Sequence, residues 1–164
     1  MQSKQALLEL FRKKGYHITP QRRVIVDLLV GDDTHPTAEQ VYQRAVAVMP
    51  EISRTTVYNT LRELVELGEL APVENLSESG TRYDTNMDDH HHLFCIRCNR
   101  LVDVTLDIAG LEIPDEQAMG FKILKGQVTF YGVCPDCQRG STPDAPSARA
   151  IDAKAKPRRR IQNQ

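Results

Sequence analysis

Residues 88–98 read Asp-Asp-His-His-His-Leu-Phe-Cys-Ile-Arg-Cys and hold two acids, three of the chain's five histidines and two of its four cysteines. Too few apolar positions remain for this stretch to be ordinary core. Its second half, Cys95-x-x-Cys98, is echoed by Cys134-x-x-Cys137. Two such knuckles supply four thiolates, the ligand set of a closed tetrahedral zinc site. The 35 residues between the pairs exceed the usual finger spacing and fit two knuckles brought together by a sheet. One pair alone would leave a redox dithiol open; two pairs point to structural zinc.

The first half offers imidazole and carboxylate, donors that suit iron, manganese or zinc in a site of another kind. His90 and His92 are two apart, so on an extended segment both face one way and His91 faces the other. Asp84 and Asp103 flank this segment at strand ends and are the natural carboxylates, although each alone is an ordinary turn residue. His35 lies far off in the loop before the third helix, where its position alone reads as that of a loop histidine. The expectation is two metal sites back to back, one soft and structural, one borderline and reactive.

Positioning these groups requires an ordered scaffold, and its elements are legible. Residues 3–14 carry Ala6, Leu7, Leu10 and Phe11 at helical spacing, ended by Gly15. Thr19-Pro20 caps a second helix running to about Val30. Thr37 caps a third, to about Met49, stopped by Pro50. Ser53 caps a fourth over 54–67, with Gly68 as its stop. Residues 70–74 and 81–84 read as two strands around a turn at 75–80. This order is the pattern of a winged helix-turn-helix. The fourth helix then presents Arg54, Thr56, Tyr58 and Asn59, side chains able to bond base edges, pack on thymine methyls and hold phosphates. Arg22 and other basic side chains are expected to add phosphate contacts.

After Asp84 the composition changes. Short β-like runs at 93–95, 101–105, 121–124 and 128–131, with a helix starting near Pro114, predict a second, α/β domain joined by a hinge near 84–88. The fold class is therefore α+β: residues 1–84 a DNA-binding winged helix, 85–138 a metal-binding α/β domain, and 139–164 a disordered basic tail poor in large apolar side chains. Bulk numbers agree with a soluble globular chain: 164 residues, 40% hydrophobic, 26% charged. The net charge of −1 does not announce a nucleic-acid binder, but residues 1–30 carry six Lys and Arg against Glu9 and Asp27. No apolar run approaches a membrane span and no signal-peptide pattern opens the chain, so a cytoplasmic protein with reduced thiols is expected.

The chain resembles the ferric uptake regulator (Fur) family over roughly residues 3–138. The resemblance rests on Thr19-Pro20-Gln21-Arg22, His35-Pro36-Thr37-Ala38, Thr56-Val57-Tyr58-Asn59, Arg82-Tyr83-Asp84, the block from His90 to Cys98, Val102-Asp103 and Tyr131-Gly132-Val133-Cys134. It implies a homodimeric metalloregulator with an N-terminal winged helix and a C-terminal dimerisation domain. It also implies that His35, Asp84, His90, His92 and Asp103 form a regulatory site joining the two. Asp103 and Asn59 make the chain most similar to the peroxide-responsive (PerR) branch, since iron-uptake members usually carry Glu and Arg there. A further metal site of many iron-uptake members needs a histidine before Tyr131, where this chain has Gly126 and Gln127.

The resulting expectation is a metal-dependent repressor of operator DNA, with Zn(II) at the cysteines and Fe(II) or Mn(II) at the regulatory site. Peroxide would act as the signal, through oxidation of His35 or His90 on Fe(II). An iron- or zinc-availability repressor is the nearest rival. A metalloenzyme is remote: there is no HExxH and no placed nucleophile, and five protein ligands leave little room for substrate.

Overall fold

The structure, a computed structural model, describes residues 1–73, 76, 80–107 and 113–140. Four helices open the chain, each started by a hydroxyl cap. In α1 (Lys4–Lys13) Ser3 accepts from the Ala6 N–H; in α2 (Pro20–Leu29) Thr19 accepts from Arg22, with proline at the first position. Thr37 and Gln40 form a reciprocal capping box at α3 (Ala38–Val48). α4 (Arg54–Glu66) is capped by Ser53. It ends where Gly68, at φ +72°, lets its own N–H reach Val65 O and the Glu69 N–H reach Leu64 O. The apolar stripes of the four helices meet in one core that includes Phe11, Ile25, Leu29, Val41, Leu61 and Leu64.

β1 (Ala71–Val73) and β2 (Arg82–Asp84) pair antiparallel as the wing, with Pro72 opposite Tyr83. Most of the turn expected at 75–80 lies outside the described residues. A three-stranded sheet follows, in the order β4 (Leu101–Val104), β3 (His91–Cys95), β5 (Thr129–Gly132). β3 runs antiparallel to β4 and parallel to β5. Val73 and Leu76 of the wing pack with Phe94 and Leu101 of the sheet, so the wing is tied to the second sheet by a small apolar cluster of its own. Two one-turn helices, α5 (Asp115–Ala118) and α6 (Pro135–Gln138), complete the described chain.

The strand expected at 121–124 does not form. Both edges of β3 are already taken, by β4 and β5, and among the described residues nothing pairs with 121–124. Phe121, Ile123 and Leu124 are instead exposed. The alternation of apolar residues there marked a surface, not a sheet position. Of the expected basic tail only Arg139 and Gly140 are described; residues 141–164 lie outside. Among the described residues no helix is long and apolar enough to cross a membrane.

Candidate metal centres and nucleic-acid face

β3 ends in Cys95, and the chain turns back through Asn99, at φ +59°, into β4. The Cys95 N–H donates to Arg100 O at 2.8 Å and the Asn99 N–H to Cys95 O at 2.9 Å, closing the first knuckle. The parallel register sets Cys95 opposite Gly132, and Cys134 follows two residues later as the cap of α6. The sheet thus does what the long spacing required. Cys95 Sγ lies 3.8 Å from Cys137 Sγ, and Cys98 Sγ 3.6 Å from Cys134 Sγ. These separations are far from the ~2.05 Å of a disulfide. They match the ~3.8 Å edge of a tetrahedron whose corners sit ~2.3 Å from a zinc ion. Burial alone would raise the Cys95 thiol; N–H groups of Cys134, Cys98 and Arg97 reverse this and bring it to about 6, so a thiolate is already favoured.

The second cluster gathers His35, Asp84, His90, His92 and Asp103, each offering one ligand atom, all within 4.8 Å of one another. Register explains most of it. His92 and Asp103 are directly opposed across β3 and β4, and His90 shares the face of His92. Asp84 ends β2, where the wing hands the chain to the second sheet. His35 arrives from the helical half on a backbone with φ +50°, a region that non-glycine residues occupy seldom.

The geometry is that of ligands rather than of a hydrogen-bonded polar core. His35 Nε2 lies 2.7 Å from Asp103 Oδ1, yet both atoms are buried without a hydrogen-bond partner. His90 Nε2 is 2.8 Å from Asp84 Oδ2 and 3.1 Å from His92 Nε2. Two imidazole nitrogens facing each other at that distance repel unless a cation or proton lies between. Edges near 3 Å are those of donors held ~2.0–2.2 Å from a common ion. The donor set therefore fits a divalent cation of the borderline class.

Neighbours aim these ligands. The His90 Nδ1–H donates to Asp88 O at 2.8 Å, which leaves Nε2 as the lone pair facing inward. Asn86, which sequence reasoning passed over, serves both carboxylates: its N–H donates to Asp84 Oδ1 at 2.7 Å and its side-chain amide to Asp103 Oδ2 at 2.8 Å. Burial raises the Asp84 carboxyl, but the His92 hydrogen bond, the Asn86 N–H and the nearby histidines outweigh it, and it ionises below its usual value. His91 faces away, as expected, and accepts the Val128 N–H on Nδ1 at 3.3 Å.

The outer face of α4 carries Arg54, Tyr58 and Asn59 exposed, while Thr56 is half-buried against its Ser53 cap. Arg54 lies over the Tyr42 ring, 4.3 Å from its centroid, and two of its nitrogens donate to Glu39. That fork, then Gln43, holds the Glu39 carboxyl down at about 2. Arg22 corrects the sequence reading. Its guanidinium donates to Glu63 and to His17 O and lies over the rings of Phe11 and Tyr16, with the side chain only 13% exposed. It ties α1, α2 and α4 together and does not stand free for a phosphate. Arg12, Lys13, Lys14 and Arg23 of the helical half are exposed, so its basic character remains at the surface apart from Arg22.

The family model described as "Ferric uptake regulator family" matches residues 13–131. A peroxide-responsive repressor PerR of Staphylococcus aureus (strain USA300) is 34% identical over 128 residues, covering 77% of this chain and 86% of that protein. Among solved structures, a zinc-bound manganese uptake regulator superposes with a TM-score of 0.62 at 30% identity, covering 78% of this chain and 98% of its own. A Campylobacter jejuni peroxide stress regulator gives 0.57 at 28% identity, covering 84% and 100%.

Proposed function

The chain belongs to the ferric uptake regulator family, whose members are transcriptional regulators rather than enzymes, and from that premise we propose that it is a peroxide-responsive repressor. The observation that carries this reading is the cluster itself. One ligand, His35, comes from the helical half; Asp84 lies at the junction; His90, His92 and Asp103 belong to the second sheet. A cation shared by all five favours the arrangement of the halves that brings the ligands together. In a homodimer this fixes the spacing of two α4 helices against two operator half-sites. The exposed Leu93, Val102, Phe130 and Tyr131, which border a groove of about 440 Å³ on the second sheet, support such a dimer.

In this proposal Cys95, Cys98, Cys134 and Cys137 hold structural Zn(II), and His35, Asp84, His90, His92 and Asp103 hold Fe(II) or Mn(II). Arg54, Thr56, Tyr58 and Asn59 face DNA. Residues 1–84 act as the DNA-binding domain and 85–138 as the dimerisation domain, and repression takes place in the cytoplasm. Bound Fe(II) would supply one-electron reduction of H2O2 beside its ligands. By resemblance to the peroxide-responsive branch, His35 or His90 would be the imidazole oxidised, and an oxidised ring would lose the lone pair that completes the site. The S. aureus and C. jejuni relatives and the short carboxylate at Asp103 support the peroxide reading. A second reading, a metal-availability repressor, is favoured by the likeness to the manganese uptake regulator.

The test begins with duplexes selected from a random pool by the Mn(II)-loaded protein. Fe(II)- and Mn(II)-loaded samples are then exposed to low H2O2, with operator binding and intact mass followed together. The Fe(II) form should leave DNA and gain oxygen on His35 or His90, and the Mn(II) form should do neither. An Fe(II) form that stays on DNA unmodified selects the metal-availability repressor.

A further inference from the structure

Arg82 is a buried cation that neither metal cluster uses. It lies on β2, 7% exposed, two residues before Asp84. Its Nη1 donates to the carbonyl of His35 at 3.0 Å, across 47 positions of sequence. The β2 backbone grips the same loop twice more: Arg82 bridges to Thr37, and the Tyr83 N–H donates to Pro36 O at 3.0 Å. His35 needs such a grip, because its positive φ is disfavoured for a residue with a side chain. Among the described residues Arg82 has no carboxylate partner, and its Nε is buried without a hydrogen bond. Burying a charge on those terms is unfavourable unless its remaining contact matters.

We propose that Arg82 is a positioning residue for the divalent-cation site. Its guanidinium fixes the left-handed backbone of His35, so that the one ligand from the helical half arrives already turned toward the other four. The inference rests on the reading that these five side chains hold a divalent cation. It makes Arg82 a control on metal affinity that acts through His35, without contact to the ion.

Mn2+ is titrated calorimetrically into zinc-loaded, full-length protein: wild type, Arg82→Met, Arg82→Lys, His35→Ala and the Arg82→Met/His35→Ala pair. Zinc content and circular dichroism report the fold. Arg82→Met should weaken Mn2+ binding by about tenfold or more, the scale of lost outer-shell support. Arg82→Lys should recover part of that. In the His35→Ala background, Arg82→Met should change affinity by less than about twofold, since the two act as one unit. Wild-type affinity in Arg82→Met, or the same loss in both backgrounds, overturns the proposal. If Arg82→Met loses zinc or fold, Arg82→Lys carries the test: its loss must vanish in the His35→Ala background. Wild type that binds no Mn2+ removes the cation reading itself, and this proposal with it.

Discussion

Asp103 is the member of the cluster on which the peroxide reading turns. It is a third exposed, unlike the other four, and its outer oxygen is held by Asn86. A glutamate there would reach one methylene further, on the exposed side of the cluster through which the peroxide reading would admit its oxidant. Asp103→Glu is therefore expected to repress with Fe(II) but to lose its response to H2O2, read as operator binding and intact mass before and after exposure. Asn86→Ala tests the support behind both carboxylates. It should weaken Mn2+ binding about 10- to 100-fold while leaving zinc content unchanged, measured by calorimetry and metal analysis. Nothing in the sequence marked Asn86, because an asparagine in a hinge reads as a turn former until the two aspartates are seen on either side of it.

α4 joins two jobs in one helix. Val57, Leu61 and Leu64 face the core, while Arg54, Tyr58 and Asn59 face out. Spacing at 3.6 residues per turn made both faces readable. Arg22 was misread because a basic residue at the start of a helix is usually solvated, whereas here Phe11, Tyr16 and Glu63 surround it. The two residues should consequently separate in experiment. Tyr58→Ala should erase much of the preference for selected over random duplex and leave the melting curve unchanged. Arg22→Ala should lower stability by about 2 kcal/mol, the scale of hydrogen bonds to a charged group, with little change in the salt dependence of DNA binding. Urea denaturation and binding across a salt series distinguish them.

At the scale of the whole molecule, the wing meets the second sheet at the Val73–Leu76–Phe94–Leu101 cluster, and the helical half reaches it at the His35 site. Few contacts of other kinds are needed if an ion closes the second of these. Saturating Mn2+, at about a hundred times its dissociation constant, should then stabilise the zinc-loaded protein by about 2.7 kcal/mol. The gain should appear in one cooperative unfolding transition. His35→Ala should retain the zinc-dependent sheet but lose that joint stabilisation, seen by differential scanning calorimetry as separate transitions of the two halves.

What the sequence by itself determined is everything that depends on neighbours along the chain. Thr19, Thr37, Ser53 and Gly68 set helix ends through local hydrogen bonds and backbone freedom. Period-two spacing put His90 and His92 on one face, and two CxxC pairs named a soft metal. His35 was recoverable as a member of the cluster only by resemblance, since its loop gives no local sign of the site. Tertiary structure decided the rest: the strand pairing that opposes His92 to Asp103, the exposure of 121–124 outside the three-stranded sheet, and the enclosure of Arg22. It also set Asn86 against Asp84 and Asp103, and Arg82 against the His35 carbonyl. These are contacts between groups far apart in sequence, and their energies depend on burial and register that no single segment encodes.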